Sequence, residues 1–205
     1  MIFKKEIKLF ILNLLSIFYT IPKLIFISFF QKKYINLVFS SAKLTKQTDV
    51  YRVDLNFDSD LIWNPSIPLP FLRKKVQSIY SIHFVDKLPL DFIERHIIHC
   101  RKNLLKDNGK YVLSVKDSSF YINAYSKNSF SLFYDLSNKN NFKNYGIIDQ
   151  INNLYREGNM TLFDEEYIKN IFLKNGFKKI LKRKFNYSFD LPNYFIDSIY
   201  LTVHK

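Results

Sequence analysis

The sequence predicts an α/β protein with a mostly parallel sheet, helices on both faces and an antiparallel last strand. After residue 34, short apolar segments alternate with helical patterns, which is typical of such sheets. The chain ends on one helical segment followed by two strand-like segments, which indicates a final hairpin. Its 205 residues, of which 47% are apolar, suffice for one domain with a core.

The first 33 residues differ from the rest, and we expect an apolar helical extension at 1–33 and the α/β domain at 34–205. Residues 9–30 are almost long enough to span a bilayer, which takes about 20 apolar residues. A polar stripe and flanking lysines instead fit helices that lie on a membrane. A third alternative is packing on the protein's own sheet. We predict a helix over 5–30, broken near Pro22, that touches membrane through Phe10, Leu14, Ile17, Phe18 and Ile21.

The α/β elements follow in order. The predicted strands cover 34–39, 51–55, 76–84, 110–117, 178–187 and 196–203. The predicted helices cover 90–109, 146–156 and 164–177, the last with Asp164 as N-cap and Gly176 at its end. The three prolines of 64–71 predict an extended loop, and the polar segment 137–144 predicts another. The first two strands should be adjacent, with the strand at 76–84 on the other side of the first.

The formal net charge of +13 attracts phosphate groups. The basic residues are scattered in ones to threes, so nucleic acid is not expected, and an anionic membrane surface is the charged partner that fits. The single cysteine, Cys100, excludes an intrachain disulfide and suits a reducing compartment. We therefore expect a cytoplasmic protein, at the inner face of the membrane if the extension binds there.

Four glycines occur in the chain, and the first of them is Gly109. A glycine-rich phosphate loop therefore cannot exist in the first half. His96 and His99 share a helix face, but the pattern supplies no Cys or carboxylate partner, so no metal site is expected.

Five segments match one family in order. "INLVFSS" corresponds to a strand and turn usually written LNLGCG, and "YRVDLN" to WINVDL. "IPLPF" corresponds to KPLPF, "SIYSIHFVDKL" to YIYSEHVLEHL, and "GNMTLFDEEYIKNIFLKNGF" to EHKWMYDEESLKELLEEAGF. From about Tyr34 onward the chain resembles the class I, Rossmann-like S-adenosylmethionine-dependent methyltransferases, in particular a small bacterial subgroup often encoded among cell-surface polysaccharide genes.

The resemblance implies S-adenosylmethionine as cofactor and a saccharide, lipid-linked or other small molecule as acceptor. It places Asp54 where an acid binds the cofactor ribose, Ser40 and Ser41 in the cofactor turn, and Asn64 near a further acid of the family. The candidate catalytic residues are His83 and Asp86, which follow the next strand.

The departures from the family bear on activity. Val38 and Phe39 stand at glycine positions of the cofactor loop, Asp86-Lys87 replaces Glu-His, and Asn159 replaces a histidine. Two functions stay open on this basis. One is a divergent methyltransferase, and the other is a non-catalytic methyltransferase-like module for binding or assembly. A nucleic-acid methyltransferase is a third, less favoured function that would need a basic face with interleaved aromatics.

Overall fold

The computed structural model describes residues 10–39, 49–64, 67–127, 152, 155, 158–191 and 197–205. These residues form a seven-stranded sheet in the order β3-β2-β1-β4-β5-β7-β6. The strands are β1 Ile35–Phe39, β2 Val50–Asp54, β3 Leu61–Ile62, β4 Val76–Ile82, β5 Leu105–Lys116, β6 Lys179–Lys182 and β7 Ser198–His204.

The strand pairing confirms the predicted fold class. β1 pairs in parallel with β2 on one side and with β4 on the other. β7 is antiparallel to both β5 and β6, so the chain closes on the predicted hairpin. β3 was not predicted, because two residues are too short to show a period.

The longer helices among the described residues are α1 Phe10–Phe30, α2 Leu90–His99, α3 Ser118–Ser126 and α4 Glu165–Lys174, and a short 3-10 helix covers Val85–Lys87. The N-cap of α4 is confirmed, because Asp164 Oδ1 accepts a hydrogen bond from the backbone of Tyr167 at 2.7 Å. The predicted elements at 137–144 and 146–156 fall outside the described residues, except for positions 152 and 155.

Two predicted boundaries were wrong. The strand expected at 178–187 is shorter, because β6 pairs with β7 only over Lys179–Lys182. The helix expected to reach Gly109 ends in a π-helical turn at Cys100–Leu104, and β5 begins at Leu105, which already pairs with Val76. The polar residues 106–108 are accommodated by a shift in the pairing register between β4 and β5, where Asn108 takes a left-handed φ of 65°. A glycine follows because a Cβ at Gly109 would lie 2.9 Å from the carbonyl oxygen of Lys106.

The predicted break at Pro22 was also wrong, because α1 is continuous from Phe10 to Phe30. A π-helical turn occupies Ser16–Thr20, and Pro22 lies in the first turn of the α-helical segment that follows. A proline is tolerated there, since the wider turn before it leaves room for the ring.

A single apolar core covers one face of the sheet. It joins inward side chains of the strands with residues of α1, α2 and α4, including Leu24, Ile27, Ile93, Ile97, Ile168 and Phe172. Because α1 contributes to this core, the helix packs against the domain. The division of the chain at residue 33 stays a sequence-based prediction.

The outer side of α1 is apolar and exposed. Of the five side chains predicted to touch membrane, Ile21 is half-buried and the other four are exposed. The 21 residues of α1 are long and apolar enough to cross a membrane by length and composition, a test that core helices also pass. Membrane contact therefore stays a prediction at this point.

Candidate functional site

The carboxyl end of β1 is the point where the strand order switches direction. Its last residue, Phe39, pairs with Val53 of β2 on one side and with Ser81 of β4 on the other. Asp54 follows Val53 directly, and His83 follows Ser81 by two residues. They therefore flank β1, on strands whose backbones lie two strand spacings, about 10 Å, apart. Ligands of open α/β sheets bind at such a point.

Asp54 and Asn64 lie together at the end of β2. The backbone oxygen of Asp54 accepts a hydrogen bond from Trp63 at 3.2 Å, which places Asn64 beside the strand end. Asp54 Oδ1 accepts from the backbone of Leu55 at 2.8 Å. Within the described part of the chain, Asp54 Oδ2 has no partner, so it can accept from a ligand. Ser40 and Ser41 lie outside the described residues.

The Phe39 ring turns into the core. Its side chain is 2% exposed, stacks on Phe84 at a centroid distance of 5.4 Å and meets the edge of His96 at 4.9 Å. Val38 is buried as well. The Phe39 ring therefore does not occupy the turn after β1, where the backbone of a cofactor loop would approach its ligand.

A cavity of about 110 Å³ lies beneath α2. Its lining residues are Phe39, Ile67, Pro68, Leu69, Arg95, His96, His99 and Leu104, and thus include neither Asp54 nor Asn64. Pockets for small-molecule ligands usually measure about 300–1,000 Å³. The cavity is therefore smaller than a typical ligand pocket.

The histidines beside this cavity are neutral at physiological pH. Burial lowers the pKa of His96 to about 3, and His99 contributes a smaller lowering. Burial also lowers the pKa of His99. The Nε2 atom of His96 lies 3.0 Å from the Tyr111 hydroxyl and 3.5 Å from Cys100 Sγ. In the described ranges, no three His, Cys, Asp or Glu residues are arranged to hold a metal ion.

His83 and Asp86 form a buried pair on the other side of β1. His83 Nδ1 lies 3.4 Å from Asp86 Oδ2, and the same oxygen accepts from the backbone of Lys116 at 3.3 Å. His83 Nε2 lies 3.4 Å from the hydroxyl of Ser198. His83 also has a left-handed φ of 48°, and such strain is concentrated at functional sites.

Asp86 connects three segments. Its backbone oxygen accepts from Met160 at 2.8 Å and from Thr161 at 3.1 Å, so it joins the segment before α4 to the end of β4. Its Oδ1 atom is buried and has no hydrogen-bond partner among the residues described. The carboxylate can thus orient the imidazole of His83, which is how a histidine base is usually held.

A second buried polar cluster was missed by the sequence reasoning. Lys116 Nζ lies 2.6 Å from Asp197 Oδ2, and the Tyr121 hydroxyl donates to the same oxygen. This cluster joins the end of β5 to α3 and to the start of β7. The only local signal was a lysine that ends an apolar strand. Because the backbone of Lys116 also binds Asp86, the two clusters are connected.

No family model and no curated protein matches this sequence. Among solved structures, the chain is similar to the 1,6-didemethyltoxoflavin-N1-methyltransferase of Burkholderia thailandensis, whose structure contains S-adenosylhomocysteine. The TM-score is 0.51 at 10% identity, over 90% of this chain and 76% of that one. The chain has the fold of the class I methyltransferases.

Two further structures with this methyltransferase fold match at lower TM-scores. One is a SAM-dependent methyltransferase of Thermotoga maritima described as a "possible histamine N-methyltransferase", with a TM-score of 0.47 at 13% identity over 94% of this chain and 91% of that one. The other is the CurJ carbon methyltransferase, with a TM-score of 0.46 at 10% identity over 85% of this chain. The present chain spans about half the length of CurJ, 49%.

Proposed function

We propose that this chain is a divergent S-adenosylmethionine-dependent methyltransferase that acts on a saccharide, lipid-linked or other small acceptor. The observation that carries the proposal is the position of Asp54. It ends β2 at the switch point of a methyltransferase-type sheet, with one carboxylate oxygen that no described residue occupies. An acid at this position binds the ribose hydroxyls in many nucleotide-binding sheets.

The described residues fit the cofactor. Asp54 Oδ2 would accept from the ribose, and Asn64 lies beside it. Ser40 and Ser41 follow β1 directly in the sequence, and the small size of their side chains is the reason to expect that they contact the cofactor. When bound, the cofactor supplies a methyl group on a sulfonium, and transfer depends largely on proximity and orientation.

His83 would act as the base for the acceptor. Asp86 holds its Nδ1 side, so Nε2 is the atom that would take the proton of an acceptor hydroxyl or amine. Ser198 lies against the same Nε2 and would give way to the acceptor or hold it. The acceptor class rests on the sequence resemblance alone.

Calorimetry with S-adenosylmethionine and S-adenosylhomocysteine tests the proposal. We expect binding by the unmodified protein and a loss of affinity of about tenfold or more in Asp54→Ala, because a hydrogen bond to a charged group contributes about 1.5–3 kcal/mol. Asp107→Ala is the matched control, since it removes an exposed carboxylate near the amino end of β5. Absence of binding at about 1 mM cofactor would mean a binding free energy weaker than roughly −4 kcal/mol. That result would favour the non-catalytic module instead.

A further inference from the structure

α1 differs from an ordinary surface helix in that polar side chains on its inner side bind the domain. Three polar side chains point toward the protein and bind its backbone. Thr20 Oγ1 donates to Ile62 at 3.0 Å, Lys23 Nζ to Asp60 at 2.8 Å, and Ser28 Oγ to Phe71 at 2.6 Å. A surface helix normally places its polar residues toward water and its apolar residues inward.

The outward side of α1 is almost entirely apolar. Phe18 and Phe29 are each 75% exposed, Phe10 is 65% exposed and Phe26 is 60% exposed. We call this surface the outer apolar face, and its members are Phe10, Ile11, Leu14, Ile17, Phe18, Ile25, Phe26, Phe29 and Phe30. Contiguous apolar surface of this extent on a soluble protein marks an interaction site.

The charges around α1 indicate what covers this face. Between Glu6 and Asp49 the sequence contains no other acidic residue, whereas Lys32 and Lys33 are exposed directly after the helix. Lys4, Lys5 and Lys8 precede it in the sequence. A second copy of the chain would bring a surface of the same sign, while an anionic bilayer is complementary to it.

We propose that the outer apolar face of α1 lies in the plane of an anionic phospholipid bilayer, as an anchor that does not span it. The three hydrogen bonds from Thr20, Lys23 and Ser28 fix one side of the helix to the domain. Leu24 and Ile27 are part of the core. A spanning helix would lose all of these contacts, whereas an in-plane helix keeps them and immerses only its apolar side.

This arrangement brings the candidate site to the membrane. Thr20 contacts Ile62, which pairs with Asp54 at the carboxyl end of β2, so α1 passes beside the edge of the sheet that carries the candidate site. Asp54 and His83 lie at the same edge. The inference rests on α1 alone and holds whether or not the domain transfers a methyl group.

Co-sedimentation of the full chain with vesicles tests the anchor. We expect binding to vesicles of phosphatidylcholine with phosphatidylglycerol, and weaker binding to phosphatidylcholine alone. The double variant Phe18→Gln/Phe26→Gln should bind less tightly by about tenfold for each ring. Lys32→Gln/Lys33→Gln should weaken binding to the anionic vesicles by about fivefold for each lysine. Tyr187→Gln, which removes an exposed ring of the segment after β6, should bind like the unmodified protein.

Three outcomes would overturn the proposal. They are failure of the unmodified protein to bind anionic vesicles, equal binding by the ring variant and the Tyr187 control, and a dimer in solution that the ring variant converts to monomer. The last outcome would assign the face to a second copy.

Fluorescent labels separate the in-plane from the spanning arrangement. Phe18→Cys and Phe26→Cys can each be labelled singly, because the native Cys100 is buried. An in-plane helix places both labels at a shallow depth of about 5–10 Å, so a quencher near the lipid headgroups should reach both. Protection of either label from that quencher, with quenching by a probe at the bilayer centre, would contradict the proposal.

Discussion

Lys116 and Asp197 form a buried ion pair across the end of the sheet, with Nζ 2.6 Å from Oδ2 and both side chains less than a tenth exposed. Removal of one partner leaves an uncompensated charge, which typically costs about 3–5 kcal/mol. We expect Lys116→Met to lower the free energy of unfolding by this amount in urea denaturation. Lys174→Met breaks an exposed pair with Glu94 and should change it by less than about 1 kcal/mol.

The double variant Lys116→Met/Asp197→Leu completes the test. Because an apolar pair of similar volume avoids the desolvation of two charges, it should recover most of the stability lost in the single variant. A single variant as stable as the unmodified protein would mean that the pair is solvated.

Phe39 holds α2 against β1, and its ring contacts Phe84 and His96. We expect Phe39→Ala to destabilise the protein by about 3–5 kcal/mol, because it removes a buried ring beside an existing cavity. Tyr187→Ala, at a ring that is 84% exposed, should change the free energy of unfolding by less than about 0.5 kcal/mol.

The milder variant Phe39→Leu should leave cofactor affinity unchanged. A higher affinity in that variant would show that the ring obstructs the cofactor turn.

His83 combines a left-handed backbone with the proposed role of base. Asparagine tolerates this conformation better than most residues, so His83→Asn should fold and bind cofactor like the unmodified protein. Formation of S-adenosylhomocysteine with a membrane extract as acceptor should fall by about 10²–10⁴-fold, the usual contribution of a general base. Turnover at the unmodified rate would make His83 a structural residue.

His96 should make the protein less stable in mild acid. The pKa of His96 is about 3 in the folded state, compared with about 6.5 when unfolded, so only the unfolded chain takes up its proton as the pH falls from 7 to 5. This difference should remove about 2 kcal/mol of stability over that interval. In His96→Leu the pH dependence should be shallower by that amount. If the free energy of unfolding depends on pH in the same way in both proteins, His96 is not a buried neutral histidine.

The fold could be predicted because the periodicity of apolar residues and the order of the helices and strands are both visible in the sequence. Each of the longer strands has an apolar pattern, and the N-cap at Asp164 is visible in the sequence. The end of α2 could not be predicted, since Leu105 joins β5 only through its pairing with Val76. The continuity of α1 depends on a π-helical turn that no sequence pattern predicts.

The candidate site could be predicted only to the extent that the ends of the strands could be predicted. Asp54 and Asn64 followed from the family resemblance, and His83 and Asp86 from their places after a predicted strand. The structure places the four residues at the carboxyl ends of the strands on either side of β1. The pair of Lys116 and Asp197 is separated by 81 residues, so neither neighbourhood indicates the other. The roles of these residues in binding and catalysis stay predictions.

The separation in sequence between Thr20 and Ile62 also affects what α1 can contact first during synthesis of the chain. The two residues are 42 positions apart, and a ribosome adds about 5–20 residues per second. For about 2–8 seconds after Thr20 leaves the ribosome, Ile62 has not yet left it. During that interval α1 cannot make its contact with β3, so an anchor of the proposed kind would be free to meet a bilayer before the domain folds.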